Sequence, residues 1–158
     1  MEVLIAGTFD TIDFLILSSP FLKAPTNAKW FKFIPYKICG FIKLQKTHSE
    51  SKTMLEYSKN DPLACSHFTL RLVGNIFVDG VNYATNRFKK IKLPLLIMGG
   101  KLDPIVNSND FDSIFNNFGS TDKTLKIYDN IRHRVVQNDY KDEIIADIIN
   151  WIMQKERS

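Results

Sequence analysis

Residues 93–106 have the sequence Leu93-Pro-Leu-Leu-Ile-Met-Gly-Gly-Lys-Leu-Asp-Pro-Ile-Val106. The apolar run Leu93–Met98 has the composition of a strand that is buried on both faces, and Pro94 is tolerated because it lies near the beginning of that strand. Asp103 follows in the loop beyond it. Because open parallel sheets place functional groups outside the carboxyl ends of their strands, Asp103 is a candidate site residue.

Two more apolar runs, Phe14–Leu17 and Thr124–Tyr128, predict further strands. The second of them alternates most clearly between apolar and polar residues, which is typical of a strand at the edge of a sheet. The three runs therefore predict three strands that are buried on both faces, the last of them at an edge of the sheet.

Amphipathic helices follow the last two strands. Apolar residues at helical spacing mark both: Phe111, Ile114, Phe115 and Phe118 in the first, and Ile144, Ile145, Ile148, Ile149 and Ile152 in the second. Asn107 or Ser108 can cap the first helix, and Gly119 follows its end. Strand–helix–strand–helix with short connections is typical of an α/β fold with a parallel sheet.

The loop after the third strand, Asp129-Asn-Ile-Arg-His133, carries a second candidate residue. His133 follows Asp103 at a distance that accommodates one helix and one strand, so the two loops should lie side by side. A carboxylate beside an imidazole fixes the tautomer of the ring and stabilises its cation, as hydrolase triads require. Taken singly, a turn aspartate and a surface histidine are the commoner interpretations; together at neighbouring strand ends they predict a site.

The long segment between the first two strands differs from the rest of the chain. Residues 23–59 hold eight lysines against two glutamates, together with the aromatic residues Trp30, Phe31, Phe33, Tyr36 and Phe41. Asn60-Asp-Pro62 then interrupts the pattern, and residues 68–77 are apolar with helical character. A parallel crossover needs only about a dozen residues, so an inserted helical layer that covers the site is predicted. A larger crossover with purely structural helices is the alternative.

The basic aromatic part of this segment predicts a surface that makes peripheral contact with lipid or an acidic ligand. The alternative is a solvated helix whose lysine stems cover its own apolar side.

Composition excludes several classes of protein. A net charge of +4 and a pI near 9.0 argue only weakly for a nucleic-acid partner, and we expect none. Two cysteines and three histidines show no zinc spacing and no disulfide framework, so neither a metal nor a cofactor is expected. The start of the chain lacks the basic region of a signal peptide, and no apolar run is long enough to cross a membrane. These features predict a soluble, cytoplasmic protein.

The chain resembles the α/β-hydrolase family, in its monoacylglycerol lipase, lysophospholipase and serine-aminopeptidase-like branch. Four stretches carry the resemblance, namely Phe14–Ala24, Lys59–Ala64, Leu93–Asn107 and Lys123–Arg134, and 142–153 is similar to the family's last helix. The resemblance implies that Asp103 is the acid and His133 the base of a catalytic triad, in the family's chain order of serine, aspartate, histidine. It also implies hydrolysis of a lipid carboxylic ester such as a monoacylglycerol or lysophospholipid. Arg134 departs from the family, where an acidic residue often follows the histidine.

A larger departure is the absence of the Gly-x-Ser-x-Gly elbow that supplies the nucleophile in this family. If Phe14–Phe21 matches the family's sixth strand, residues 1–8 are the end of the helix after the elbow and the serine lies upstream. Ser18 and Ser19 follow a strand in the wrong context for an elbow. A thiol pair of Cys39 or Cys65 with His67 can be drawn, but buried structural cysteines are the commoner interpretation.

The resemblance thus implies a partial α/β-hydrolase fold, consisting of the last three parallel strands with flanking helices and an inserted helical cap. Residues 1–19 would end the nucleophile-side helix and form the sixth strand, 20–92 would form the cap, and 93–158 would carry the triad aspartate and histidine. We expect either a truncated or split hydrolase or a gene model that starts too late. The chain should be inactive alone, and its exposed strand edge should take an N-terminal half or drive self-association. The alternative is a non-catalytic or regulatory module that binds another chain or lipid.

Overall fold

A computed structural model of the chain describes residues 12–23, 33–45, 56, 60–63, 65 and 67–156. In chain order the strands are β1 (Leu15–Ser18), β2 (Lys43–Gln45), β3 (His67–Thr69), β4 (Leu95–Gly100) and β5 (Lys123–Tyr128). The α-helices are α1 (Leu70–Gly74), α2 (Val81–Thr85), α3 (Phe111–Asn117) and α4 (Lys141–Glu156). A π-helix, Asn75–Gly80, connects α1 to α2, and 3-10 turns occupy Phe88–Lys90 and Ser108–Asp110.

The chain divides into two compact units, and the larger one is built on a parallel sheet. This unit comprises the described residues up to Leu22 and from Ala84 onward, and its sheet has the order β1-β4-β5. Leu15 pairs with Leu95, which in turn pairs with Lys123. The α/β fold and its three parallel strands are therefore confirmed.

The middle strand begins later than predicted. β4 starts at Leu95, because Pro94 has no N–H for the ladder and contributes only its carbonyl, which accepts a 2.9 Å hydrogen bond from Leu15. Every residue of β4 is buried as far as Gly100, so the two glycines prolong the strand beyond its apolar run. β5 lies at the edge of the sheet and is only half-buried, as its alternating sequence indicated.

Alternate residues of β4 pack on opposite faces of the sheet. Leu95 and Ile97 belong to one apolar cluster, which also contains Phe111 of α3. Leu96 and Met98 belong to another, which includes Ile144 and Trp151 of α4. The helices thus cover both faces, as an open parallel sheet requires.

The isoleucine stripe predicted for α4 is only partly correct. Ile144 is buried and Ile148 and Ile152 pack against the core, but Ile145 and Ile149 are 41% and 50% exposed. Trp151 takes part in the core instead. The large indole lies on the same side of the helix as Ile148 and Ile144, which come one and two turns earlier. This side packs against the sheet, so part of the isoleucine stripe is left in solvent.

The second unit covers the described residues between Lys23 and Tyr83. It contains an unpredicted antiparallel pair in which Lys43 faces Thr69 and Leu44 faces Phe68. The helix predicted for 68–77 therefore begins only at Leu70, where the Thr69 hydroxyl accepts a hydrogen bond from the N–H of Leu72. From Leu70 the chain is helical as far as Thr85. Tyr36 is buried, and its hydroxyl donates to Asp79 at 2.8 Å.

Several predictions fall on residues that the structure does not describe. These include the helix expected at residues 1–8 and much of the basic segment, residues 24–32 and 46–55. Within the described part of the chain, no helix is both long and apolar enough to cross a membrane.

Candidate functional site

The loop after β4 holds the Asp103 carboxylate in one orientation. Its Oδ1 accepts hydrogen bonds from the backbone N–H groups of Ile105 at 2.8 Å and Val106 at 3.0 Å. Val106 is buried in the core, which anchors this turn. Because Oδ1 is occupied by the turn, Oδ2 is the oxygen left to interact with a neighbouring loop.

The loop after β5 carries His133 and is anchored on both sides of it. Ile131 and Val135 are buried in the cluster that lies between the sheet and α4. The backbone N–H of Leu102 donates to the carbonyl of Ile131 at 3.0 Å, and Lys101 donates to Tyr128 at 2.9 Å. The ends of the two neighbouring strands are therefore tied together by main-chain bonds.

These two loops bring Asp103 and His133 into contact. His133 Nδ1 lies 2.8 Å from Asp103 Oδ2. The aspartate side chain is completely buried, whereas 28% of the imidazole surface is exposed. The two residues singled out in the sequence thus form one hydrogen-bonded pair at the carboxyl edge of the sheet.

The charge of Asp103 decides which nitrogen of the imidazole carries the proton. Burial by itself raises the pKa of this carboxyl, but hydrogen bonds from His133 and from two backbone N–H groups outweigh it, so the pKa lies below its ordinary value. At neutral pH the aspartate is ionised and can only accept hydrogen bonds. Nδ1 of His133 therefore donates, and Nε2 of the neutral ring keeps a lone pair that can accept a proton.

The serines after β1 do not form an elbow. Ser18 is exposed at the end of the strand, and Ser19 is buried with a φ of 43°, a conformation that is strained for a residue with a side chain. Within the described residues, the Ser19 hydroxyl makes no hydrogen bond. A buried hydroxyl is not accessible to an ester, so Ser19 is not a candidate nucleophile.

The cysteines differ from the structural interpretation made above. Cys65 is exposed, and Cys39 is half-buried in the smaller apolar cluster around Tyr36. Both are free thiols, so Cys65 is not a core residue.

Sequence reasoning missed an ion pair that joins the two site loops. Lys101 Nζ lies 2.9 Å from Asp129 Oδ1. Both side chains are more than half exposed, so the pair contributes little to stability. The available signal was positional, because each of the two residues directly follows a strand that ends beside the other.

The sequence is similar to those of several known proteins. The model of the serine aminopeptidase S33 family matches residues 4–140. Human monoglyceride lipase is 24% identical over 152 residues, covering 89% of this chain and 50% of that protein, and the mouse protein is 22% identical over the same length. The chain therefore spans about half the length of the curated relatives it matches.

Solved structures show the same relationship. The monoacylglycerol lipase of Paleococcus ferrophilus superposes with a TM-score of 0.79 at 21% identity, covering 97% of this chain and 63% of that one. A soluble variant of the Saccharomyces cerevisiae monoglyceride lipase superposes with a TM-score of 0.77 at 17% identity, covering 98% and 61%. At identities this low, the superpositions show that the chain has the α/β-hydrolase fold. The resemblance drawn from the sequence motifs is therefore confirmed.

Proposed function

We propose that this chain, which belongs to the serine aminopeptidase S33 family of α/β hydrolases, supplies the acid and base of a triad that cleaves carboxylic esters of lipids. The single observation that carries the proposal is the 2.8 Å bond between His133 Nδ1 and the oriented Asp103 carboxylate. The names of the similar proteins, monoglyceride and monoacylglycerol lipases, support a monoacylglycerol as the substrate, and the sequence resemblance to lysophospholipases adds a lysophospholipid as the alternative.

In the proposed reaction, a serine hydroxyl attacks the ester carbonyl while His133 Nε2 takes its proton. Asp103 stabilises the resulting imidazolium, which then donates the proton to the departing alcohol oxygen as the ester C–O bond breaks. Water attacks the acyl-enzyme in the same way, giving its proton to Nε2. The proton returns to the serine as the fatty acid leaves.

We propose that the serine is supplied by an N-terminal half that pairs beside β1. None of the 158 residues lies in a Gly-x-Ser-x-Gly motif. In the sheet formed by the described strands, β1 occupies an edge, and it contains neither the lysine nor the proline that discourages further pairing. The same edge would also permit self-association. The separate compact unit between Lys23 and Tyr83 supports a cap that takes up most of residues 20–92, whereas residues 84–92 belong to the unit that contains the sheet.

Complementation tests this proposal. The portion of the Paleococcus ferrophilus lipase that this chain does not match, fused ahead of residue 1, should give an enzyme that hydrolyses monoacylglycerol and p-nitrophenyl acyl esters. The 158-residue chain by itself should give no turnover above buffer, because it lacks the elbow serine and the oxyanion donor that follows it. Release of fatty acid and of p-nitrophenol measures both.

Controls separate the possible origins of activity. The added portion alone, and the fusion with its elbow serine changed to alanine, should both be inactive. A folded but inactive fusion would contradict the proposal and favour the alternative of a non-catalytic module. Turnover by the unfused chain that disappears on His133→Ala would show that another residue serves as nucleophile.

We further propose that the cap meets the cytoplasmic surface of a membrane. Phe33, Ile38 and Phe41 are 78%, 81% and 80% exposed, so three large apolar side chains within nine residues have most of their surface in solvent. Exposed lysines at 37 and 43 accompany them, as suits an interface with anionic lipid. Two free thiols agree with a reducing compartment such as the cytoplasm.

Substitution of the exposed apolar residues should weaken membrane binding. Phe41→Ser or Ile38→Ser is expected to lower the partition of the chain onto phosphatidylserine-containing vesicles by at least about tenfold each, since burial of one such side chain contributes roughly 1.5–3 kcal/mol. Co-sedimentation with vesicles measures the partition. Ile149→Ser, which changes a half-exposed isoleucine on α4, should leave it unchanged. Equal partition of all three variants would exclude this segment as the contact.

A further inference from the structure

We propose that Gly100 is a positioning residue for the triad, because its missing side chain lets the loop that carries His133 approach the end of β4. The inference rests on the proposed function of Asp103 and His133 and names a third residue on which their geometry depends. Gly100 ends β4, three residues before Asp103, and its role is exerted through the backbone of the opposite loop.

The approach of the two backbones at Gly100 leaves no space for a side chain. A Cβ atom built on this residue would lie 2.2 Å from the carbonyl oxygen of Ile131 and 2.4 Å from that of Arg132. Cβ atoms in proteins essentially never come within 3.0 Å of another atom, so a methyl group would require a shift of at least about 0.8 Å. The obstructing atoms are main-chain carbonyls directly before His133, and they cannot rotate away as a flexible side chain would.

The surroundings determine which part of the structure would move. The buried side chains of Ile131 and Val135 fix the far side of the loop, while the Leu102 N–H holds the Ile131 carbonyl from the near side at 3.0 Å. A methyl group on Gly100 would force these carbonyls away from β4 and carry His133 with them. The 2.8 Å hydrogen bond from Nδ1 to Asp103 would be weakened by a shift of about half an ångström, because N–H···O bonds beyond about 3.2 Å are weak.

The neighbouring glycine provides a matched control. A Cβ on Gly99 would lie 2.2 Å from Cζ of the Phe111 ring, on the face of the sheet that is covered by α3. Gly99→Ala therefore introduces the same methyl group into the same buried strand with a comparable clash. Its clash is with a side chain in the core, and the His133 loop is not involved.

The test uses the downfield proton resonance of the hydrogen-bonded Nδ1–H of His133 in the 158-residue chain, assigned by its loss in His133→Gln. We expect this resonance in the unsubstituted chain and in Gly99→Ala, and its loss in Gly100→Ala. Amide exchange at Leu102 should also be slow in the unsubstituted chain and accelerate at least tenfold in Gly100→Ala only. A purely structural role would lower the melting temperature of both alanine variants and remove neither signal selectively.

Three results would overturn the proposal: an unchanged resonance in Gly100→Ala, its equal loss in Gly99→Ala, or rapid exchange at Leu102 in the unsubstituted chain. If Gly100→Ala does not fold in buffer, the spectra are recorded in a stabilising osmolyte such as trimethylamine N-oxide, which favours the compact state. The readout does not depend on catalysis. Loss of the resonance together with an inactive fusion enzyme would therefore support the positioning role while contradicting the proposed hydrolase function.

Discussion

His133→Ala is expected to lower kcat/KM of the fused enzyme on monoacylglycerol by about 10,000-fold or more, which is the usual effect of removing a triad base. Nε2 of His133 is the atom proposed to take the serine proton. Within the described residues, His133 is the side chain that bonds to the Asp103 carboxylate. The residual rate should be similar to that of the variant lacking the elbow serine, because triad members act as a unit.

Asp103→Asn should have an effect of similar size for a different reason. An asparagine amide can present N–H to the imidazole, which would favour the tautomer with the proton on Nε2 and leave the ring unable to act as base. Asp129→Asn is the matched control, since it removes a carboxylate from the same pair of loops that is exposed and bonded only to Lys101 in the contacts described above. It should change kcat/KM by no more than about twofold. A large loss of kcat/KM in Asp129→Asn with a small loss in Asp103→Asn would contradict the proposal, because Asp129 would then be the triad acid.

The contact between the two candidate site residues could be predicted because its determinants are local in sequence. A buried strand can be recognised from Leu93–Met98 alone, and a polar residue just past such a strand lies at a known edge of the sheet. One helix and one strand separate Asp103 from His133, and strands joined in this way are usually neighbours in a parallel sheet. The chemistry of the pair then followed from residue type, and its 2.8 Å contact is what the structure adds.

Features that depend on contacts between distant segments could not be predicted. The pairing of Leu44 with Phe68 joins two short segments with no clear alternation. The close approach at Gly100 involves carbonyl groups some thirty residues later, and a glycine at the end of a strand gives no indication of them. Which side of α4 faces the sheet depended on fitting one indole, whereas the isoleucine pattern allowed several rotations of the helix.

That indole gives the largest expected effect on stability. Trp151→Ala should destabilise the chain by about 3–5 kcal/mol, because removing a large buried side chain leaves a cavity that the surroundings fill only partly. Trp151 is 4% exposed, contacts the Phe14 ring edge-on at 5.7 Å between centroids, and donates its Nε1–H to the Thr124 hydroxyl at 3.1 Å. Trp151 thus connects α4 both to β5 and to Phe14, the residue directly before β1. Urea unfolding followed by far-ultraviolet circular dichroism measures the loss.

Ile149→Ala is the matched control on the same helix. This isoleucine is 50% exposed, so its truncation should change the free energy of unfolding by no more than about 0.5 kcal/mol, with an unchanged dependence on urea. Equal midpoints for the two variants would mean that α4 does not pack through its indole. Ile131 and Val135, which flank His133, share the cluster of Trp151. Loosening of α4 should therefore reach the site, and Trp151→Ala should broaden the His133 Nδ1–H resonance before the chain unfolds, whereas Ile149→Ala should leave it sharp.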